Sequence, residues 1–270
     1  MKNIFSNTIT LIRRILYICF YLLDTLSNQK TKLFILCYHG VADDTWRYSV
    51  NPETFKKQIL YLIKKGYTPI SLDAIIPLLK GEEKLKNNSF VVNIDDGYKD
   101  IYQLKNFFKE TQITPAIFLL SDTKNANRKE LTTEREFLNK NEILDLKNEG
   151  WIIGSHGATH SDFWALTDEE ITKEVIDSKH ILEKELNINI KYFAYPRGRY
   201  NDKILDAIKK AGYTLGLSMN DGFIDSKTNP LLIPRVGVDR THTFSEFKSI
   251  FLPSSIRFRK FIKENIGVII

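Results

Sequence analysis

Two short motifs in this sequence combine residue types and spacings that could do chemistry. Two adjacent carboxylates, Asp95 and Asp96, precede Gly97, and two histidines, His156 and His160, stand four residues apart. Neighbouring carboxylates repel each other, and a cation, a bound metal or a shared proton relieves that repulsion. Taken alone, Asp96 could simply cap the helix that follows it. The second motif is what favours a chemical role for the first.

The histidine pair favours metal binding. Residues four apart lie on one side of a helical turn, so His156 and His160 are expected to reach a single ion. The chain has only five histidines, which makes this pairing stand out. With Asp96 as third ligand, the set is two imidazoles and one carboxylate with open positions. Such a set suits a catalytic metal that holds water better than a structural zinc, and Asp95 is then free to act as a base.

Both motifs follow short apolar runs of strand length, residues 90–94 and 151–153. Side chains alternate between the two faces of a strand, so adjacent acids are expected where a strand ends. Further runs of this kind alternate with helical patterns at residues 33–38, 67–70, 115–120, 192–195, 213–217 and 231–238. The alternation predicts an α/β fold, a single distorted (β/α) barrel of about seven or eight parallel strands, with a doubly wound open sheet as the alternative.

The positions of the polar residues agree with a barrel. In barrels of this class the chemistry lies in the loops that follow the strands. Asp95, Asp96 and His156 come directly after strand-like runs, and so do His39 and Pro196. This agreement is independent of the motifs themselves.

Composition limits the kinds of partner. The 270 residues carry a formal net charge of +6 and are 43% hydrophobic, enough for one sizeable core. The charge is compatible with an anionic lipid surface or acidic glycans, but no basic run interleaved with aromatic residues points to nucleic acid. Two cysteines, Cys19 and Cys37, give no disulfide framework and leave the redox compartment open.

The two ends of the chain differ from the middle, residues 31–253. Within residues 1–30, Arg13 and Arg14 precede a nine-residue apolar block, whereas a spanning helix needs about 20 residues. We expect an amphipathic helix at a membrane interface, and give equal weight to a helix packed on the barrel. Residues 254–270 form a basic amphipathic segment. A membrane-associated protein on the cytoplasmic side is preferred, with an exported or periplasmic one as the alternative.

Residues 33–250 resemble the polysaccharide deacetylase family, the metal-dependent esterases of N-acetylated glycans. Residues 94–97 resemble the family's paired-aspartate motif, and residues 156–160 resemble its metal-histidine motif. Residues 195–198 resemble the loop whose backbone helps to hold the oxyanion. Residues 36–41 resemble the opening of the branch whose catalytic-acid histidine lies near the N-terminus.

The resemblance implies a role for each matching residue. The first aspartate is the base, and the second binds the metal with the two histidines, most often zinc, with cobalt, nickel or iron as alternatives. His39 is the expected catalytic acid, and His242 is its rival. The residues expected at the oxyanion or the substrate are Tyr195, Pro196, Arg197 and Phe223.

The sequence also departs from the family pattern. Ala194 stands where many members carry the arginine that orients the base, and we expect Arg235 to take that role. A surface ion pair is an equally weighted reading of Arg235. The family's aspartate–tryptophan groove motif is missing, so Phe223 is expected to form part of the sugar wall instead.

The predicted function is that of a metal-dependent hydrolase that removes an N-acetyl group from an amino sugar. The expected substrate is a polysaccharide or a lipid-linked glycan, with a peripheral membrane contact through the N-terminal helix. Three alternatives stay open: a non-catalytic glycan-binding barrel, a hydrolase of a different amide, and an iron-dependent oxygenase, whose metal ligands are similar. The oxygenases usually show all-β patterning, which this chain lacks.

Overall fold

The computed structural model describes the backbone of residues 2–266 and the side chains of residues 10–265. The last residues of the predicted C-terminal segment, 267–270, lie outside that range. The strands are β1 (Leu33–Tyr38), β2 (Thr68–Pro69), β3 (Ser89–Ile94), β4 (Ala116–Leu119), β5 (Ile152–Ser155), β6 (Tyr192–Ala194), β7 (Leu215–Leu217) and β8 (Val236–Gly237). The helices are α1 (Lys2–Leu26), α2 (Pro52–Lys64), α3 (Ile75–Leu79), α4 (Lys105–Thr111), α5 (Arg128–Leu131), α6 (Lys140–Asn148), α7 (Asp168–Thr172), α8 (Ser178–Leu186), α9 (Asp202–Lys210), α10 (Phe244–Ile250) and α11 (Pro253–Ile266).

The strands form one parallel sheet in the order β7-β6-β5-β4-β3-β1-β8, with β2 paired to the first residues of β3. Every ladder between named strands is parallel. Helices connect successive strands, as parallel pairing requires. The predicted α/β barrel of about seven or eight strands is confirmed.

The sheet curls towards closure through the segment at residues 231–238. This segment was predicted as one strand, but only β8 pairs with β1, while Ile233 bridges Leu217 of β7. Pro234 separates the two contacts and lacks the N–H that a continuous ladder needs. One irregular segment therefore touches both edges of the sheet, and the barrel is distorted.

Alternating side chains of the strands supply two cores. Phe34 and Leu36 of β1 pack outwards with Phe55 of α2, in the layer between sheet and helices. Leu33 and Ile35 of the same strand pack inwards with side chains from β3, β4, β6 and β7. Both faces of the sheet are therefore covered, which explains why the strands read as continuous apolar runs rather than as alternating ones.

The N-terminal and C-terminal helices pack against each other on the outside of the barrel. Phe20 of α1 contacts Phe258 of α11, with ring centroids 5.3 Å apart. Asp24 of α1 accepts hydrogen bonds from the backbone N–H and the hydroxyl of Ser254. Arg13 of α1 pairs with Glu246 of α10 at 2.9 Å. No helix in the described range is long and apolar enough to cross a membrane.

Candidate active site

The carboxyl end of β3 positions the two aspartates. Asp96 and Gly97 both adopt left-handed backbone conformations, with φ of 71° and 76°. The chain therefore turns sharply at the strand end, and both acids point towards the barrel mouth. Gly97 has no room for a side chain, because a Cβ there would lie 2.6 Å from Leu119 Cδ2. Both carboxylates are buried, Asp95 and Asp96 each being 2% exposed.

The carboxyl end of β5 positions the two histidines. The prediction of a helical turn at residues 156–160 is wrong, because the chain there is an irregular loop. Gly157 (φ 86°) and His160 (φ 63°) are left-handed, which no helix permits. The buried carboxylate of Glu174 holds the loop instead, accepting from the N–H groups of Ala158 and Thr159. The two histidines still converge, but an irregular loop brings them together and not a helical turn.

Asp96, His156 and His160 meet around one point. The Nε2 atoms of His156 and His160 lie 3.3 and 3.7 Å from Asp96 Oδ1. His156 Nδ1 lies 2.8 Å from the carbonyl oxygen of Ala194, which can only accept, so Nδ1 carries the proton. The remaining lone pair of His156 faces an Asp96 oxygen that no described group donates to. Two acceptors this close need a proton or a metal cation between them, so these residues fit a divalent metal.

The electrostatics of the metal-free site agree with this geometry. Burial lowers the pKa of His160 to about 4, against the attraction of Asp96. Burial also acts on His156, but Asp95 and Asp96 outweigh it and raise the pKa of that imidazole. Burial opposes ionisation of Asp96, yet the histidines hold the pKa of its carboxyl below the usual range. His160 is therefore neutral near pH 7, whereas the two aspartates favour the protonated form of His156.

The other aspartate, Asp95, is held by three neighbours. Arg235 Nη1 donates to Asp95 Oδ1 at 2.7 Å and to Asn93 Oδ1 at 2.6 Å. Asn93 Nδ2 donates to the same Asp95 oxygen at 2.9 Å. The thiol of Cys37 lies 3.4 Å from the other oxygen, Oδ2. Oδ1 is thus occupied by two strong donors, and Oδ2 keeps a lone pair for a proton.

These neighbours also set the charge of Asp95. Burial opposes ionisation, but Arg235, His156 and His39 outweigh it and hold the pKa of the Asp95 carboxyl well below its usual range. Burial raises the pKa of the Cys37 thiol, so the sulfur keeps its hydrogen near neutral pH. Arg235, whose side chain is fully buried, also donates from Nε to the carbonyl of Ser218 at 3.1 Å. The structure therefore places Arg235 at Asp95 and not in a surface ion pair.

The two candidate acids, His39 and His242, both line the same cavity. A ring nitrogen of His39 lies within 4.8 Å of Asp95 and Cys37 ligand atoms. Its Nδ1 is buried and has no hydrogen-bond partner among the described residues. His242 is engaged, since its Nδ1 lies 3.2 Å from Asp239 Oδ1. Of the two, His39 is thus the histidine beside Asp95.

Residues 195–198, the proline loop, directly follow β6, as the sequence predicts. Arg197 adopts a left-handed conformation (φ 55°), and its side chain pairs with Glu130 at 2.7 Å in the cavity wall. Tyr195 and Pro196 are buried behind this turn, and the Tyr195 hydroxyl donates to the carbonyl of Leu231 at 2.8 Å. Phe223 is 40% exposed and lies under Arg257, and among the described residues it is not part of the cavity wall.

These residues surround a cavity of about 320 Å³, a size that accommodates a small ligand. The wall combines strand ends with the two terminal helices. Side chains from the catalytic side are Asp96, His160, His39, Arg197 and Arg235, and those from α1 and α11 are Arg13, Tyr17, Arg259 and Lys263. Arg13 and Tyr17 of α1 therefore contribute to the cavity wall, in agreement with the alternative of an N-terminal helix packed on the barrel.

Sequence reasoning did not find three residues of the site. Asn93 and Cys37 contact Asp95, and each stands two residues before a predicted functional residue in the chain. That spacing puts it on the same strand face, which is a usable signal. Glu174 anchors the histidine loop and is only 3% exposed. Its signal is weak, because an acid within a helix usually faces solvent.

Comparison with known proteins identifies the family. A family model for polysaccharide deacetylases matches residues 82–216, half of the chain, and these include both motifs. YxkH of Bacillus subtilis is 25% identical over 222 residues, 82% of this chain and 76% of that protein. The poly-beta-1,6-N-acetyl-D-glucosamine N-deacetylase of Staphylococcus aureus is 26% identical over 201 residues, 70% of this chain and 67% of that one.

Solved structures agree. The Streptococcus pyogenes deacetylase PplD, in complex with acetate, has a TM-score of 0.66 and 25% identity, over 78% of this chain and 93% of that one. IcaB from Ammonifex degensii, at 20% identity, shares the fold with a TM-score of 0.71, over 85% and 98% of the two chains. The predicted activity class, carbohydrate N-deacetylase, is confirmed, and this class is metal-dependent. The chain belongs to the polysaccharide deacetylase family.

Proposed function

We propose that this protein removes the acetyl group from an N-acetylated amino sugar within a polysaccharide or a lipid-linked glycan. One observation carries the assignment: three metal-binding side chains converge beside a separately held carboxylate at one end of the barrel. The name of the staphylococcal relative gives an N-acetylglucosamine polymer as its substrate, which supports the same class of substrate here.

Asp96, His156 and His160 would hold the metal, and we propose zinc, which accepts this mixture of nitrogen and oxygen ligands. When bound, a divalent ion lowers the pKa of a water molecule and polarises the acetamide carbonyl. The Nδ1–H of His156 bonded to Ala194 keeps Nε2 aimed at the ion, as metal-binding histidines generally require.

Asp95 acts as the general base. An amide resists hydrolysis because its nitrogen leaves poorly, so the site must take a proton from water and return one to the amine. The lone pair of Oδ2 that Cys37 leaves free accepts the first proton, while Arg235 and Asn93 hold Oδ1. Burial alone would favour the neutral form of this carboxyl group, and the positive charge of Arg235 keeps it ionised.

His39 returns a proton to the departing amine. Imidazole titrates near neutrality and so can donate to nitrogen under ordinary conditions. His39 lies in the cavity wall close to the base. The backbone at Arg197, in the left-handed turn of the proline loop, faces the carbonyl oxygen as charge develops on it.

Acetate release tests this assignment. Zinc-loaded protein is incubated with a panel of N-acetylhexosamine oligomers and polyprenyl-linked sugars, and free acetate is measured. We expect release from at least one substrate, and about a 10³-fold loss for Asp95→Asn protein that still binds one zinc per chain. Full activity in that variant would remove Asp95 as the base. A panel that yields no acetate would count against the hydrolase assignment.

We propose further that the exposed face of α1 lies on an anionic membrane surface. Among the described residues, seven of the fourteen exposed large apolar side chains belong to this helix: Leu11, Ile12, Ile15, Ile18, Leu22, Leu23 and Leu26. They follow the helical period and form one stripe opposite the face that packs on the barrel. A solvent-facing stripe on a helix of this kind is normally polar, so this one lacks its partner.

Charge favours a lipid partner over a second protein copy. Arg14 is the one exposed charged side chain among residues 10–26, and Arg257 and Lys260 are exposed on the neighbouring helix α11. The one acid in that range, Asp24, is buried against Ser254. Apolar side chains flanked by cations match an interfacial helix on anionic lipids. The cytoplasmic leaflet is the more anionic surface, which supports that side of the membrane.

A further inference from the structure

Lys263 of α11 reaches into the catalytic cavity from the C-terminal helix. Its Nζ donates to the carbonyl of Met219 at 3.0 Å, and its side chain lines the cavity. Met219 packs directly on the proline loop, residues 195–198, since a Cβ on Gly198 would lie 2.5 Å from Met219 Cβ. The ammonium group therefore lies one residue away from the turn that faces the reacting carbonyl.

The charge of Lys263 is not neutralised by the described part of the chain. Six arginines line the same cavity, and each has a carboxylate partner within 4 Å: Arg13–Glu246, Arg47–Asp239, Arg197–Glu130, Arg199–Asp162, Arg235–Asp95 and Arg259–Asp221. No such partner exists for Lys263 between residues 10 and 265, where its hydrogen bond is to a neutral carbonyl.

Arg259, one helical turn before Lys263, offers a second donor on the same face of α11. Its Nε donates to Asp221 at 2.7 Å and its Nη1 to the carbonyl of Ile250 at 2.7 Å. Its Nη2 is buried and has no hydrogen-bond partner of acceptable geometry within the described range. Tyr17 of α1 lines the same wall and interacts with this guanidinium.

We infer that Lys263 and Arg259 form a subsite for an anionic group, a carboxylate or a phosphate, on the saccharide next to the sugar that is deacetylated. This inference rests on the proposed function and specifies its substrate. An acidic oligosaccharide would place its negative charge on the Lys263 ammonium, beside the guanidinium of Arg259. A neutral N-acetylglucosamine polymer, the substrate named for the staphylococcal relative, would leave the Lys263 ammonium without a counter-charge.

The test compares neutral and acidic substrates. Zinc-loaded protein is given N-acetylglucosamine oligomers, oligosaccharides in which N-acetylglucosamine alternates with a uronic acid, and N-acetylglucosamine oligomers that carry a phosphate. We expect KM to be about tenfold lower for at least one acidic set than for the neutral one. The two acidic arms distinguish a carboxylate from a phosphate. Equal KM values for all three sets would overturn the subsite.

Variants separate the subsite from a general effect of charge. Lys263→Met should raise KM about tenfold for the preferred acidic substrate and leave the neutral one unchanged, whereas Lys263→Arg should retain the preference. The matched control is Lys260→Met, because Lys260 lies on the same helix with its side chain 54% exposed. An equal loss on neutral and acidic substrates in Lys263→Met, or the same loss in the control, contradicts the inference.

Binding without turnover separates failure of the subsite from failure of the proposed function. The affinities of zinc-loaded Asp95→Asn protein for the same oligosaccharides are measured by calorimetry. Selective binding of an acidic set, lost in Asp95→Asn/Lys263→Met protein, supports the subsite even if the native protein releases no acetate. Binding that is absent, or that ignores charge, overturns the subsite even if acetate is released.

Discussion

Asp95 depends on one arginine for its charge. Burial alone would raise the pKa of its carboxyl, and Arg235 is the strongest of the groups that act in the opposite direction. As the proposed base, Asp95 must be ionised in order to accept a proton, so we expect the arginine to extend activity towards acid pH. Its contact with Asn93 and Ser218 fixes the position of the guanidinium as well. Charge and position are therefore supplied by one side chain.

We predict that Arg235→Gln shifts the acid limb of the kcat/KM profile to higher pH. Losing the cation raises the pKa of Asp95, so a larger fraction of the base is protonated at low pH. The loss should reach about 10²-fold at pH 6 and be smaller at pH 8. Arg235→Lys keeps a cation at the site, and its acid limb should move less. A loss of equal size at every pH would mean that Arg235 acts by position alone.

A second prediction separates the two candidate acids. His39→Gln should reduce kcat by about 10²-fold or more and remove the basic limb of the pH profile, since that limb reports the protonated donor. His242→Gln should keep the limb, because His242 is paired with Asp239. Zinc content is measured for both variants to exclude loss of the metal. The opposite pattern would assign the acid role to His242.

At the scale of elements, one helical segment holds the metal-binding loop. The carboxylate of Glu174 lies in the π-helical turn Lys173–Asp177 between α7 and α8. Its two oxygens accept from the N–H groups of Ala158 and Thr159 and from the hydroxyl of Ser161. A Cβ on Gly157 would lie 2.7 Å from the same carboxylate, which explains the glycine between the histidines.

We predict that Glu174→Gln weakens zinc binding by about 10- to 100-fold, as removal of a partner behind a metal ligand typically does. The amide NH₂ of glutamine would face N–H donors that need an acceptor, and the loop would shift His160. Zinc affinity is measured by competition with a chelator, with Glu169→Gln on exposed α7 as the control. An unchanged zinc affinity would show that the loop at residues 156–160 keeps its conformation without the Glu174 carboxylate.

The strand ends were predictable from local patterns, whereas the contact of Arg235 with Asp95 was expected only from the resemblance to the family. Asp96 and His156 follow apolar runs whose length and composition indicate strands, and parallel strands bring their carboxyl ends to one edge. Arg235 is 140 residues from Asp95, and no local pattern records that contact. The spacing of the histidines predicted a helical turn at residues 156–160. The structure shows a loop there, with left-handed residues that a right-handed helix does not contain. Local periodicity predicts the helices and strands, whereas the site depends on contacts between residues that are far apart in the chain.

At the scale of the whole molecule, α1 has two different faces. One face packs on α10 and α11 and brings Arg13 and Tyr17 to the cavity wall. The other exposes an apolar stripe of about 22 Å, the length of fifteen helical residues. If a membrane covers this stripe, α1 lies between the lipid and the cavity wall, so the helix that contacts the membrane also contributes side chains to the site.

We predict that the protein sediments with anionic vesicles and that Ile15→Ser/Ile18→Ser/Leu22→Ser protein does so about 10²-fold more weakly, because each partly exposed side chain contributes about 1 kcal/mol on burial. All three are about half exposed, so the fold and the acetate release from soluble oligomers should be retained. The matched control is Leu60→Ser/Ile63→Ser, which removes exposed apolar side chains from α2.

Neutral vesicles should bind less than anionic ones, because the exposed charges around the stripe are cationic. If the native protein instead forms a dimer that the triple variant abolishes, while no vesicle binds, the stripe is the interface between two copies and the membrane assignment is wrong.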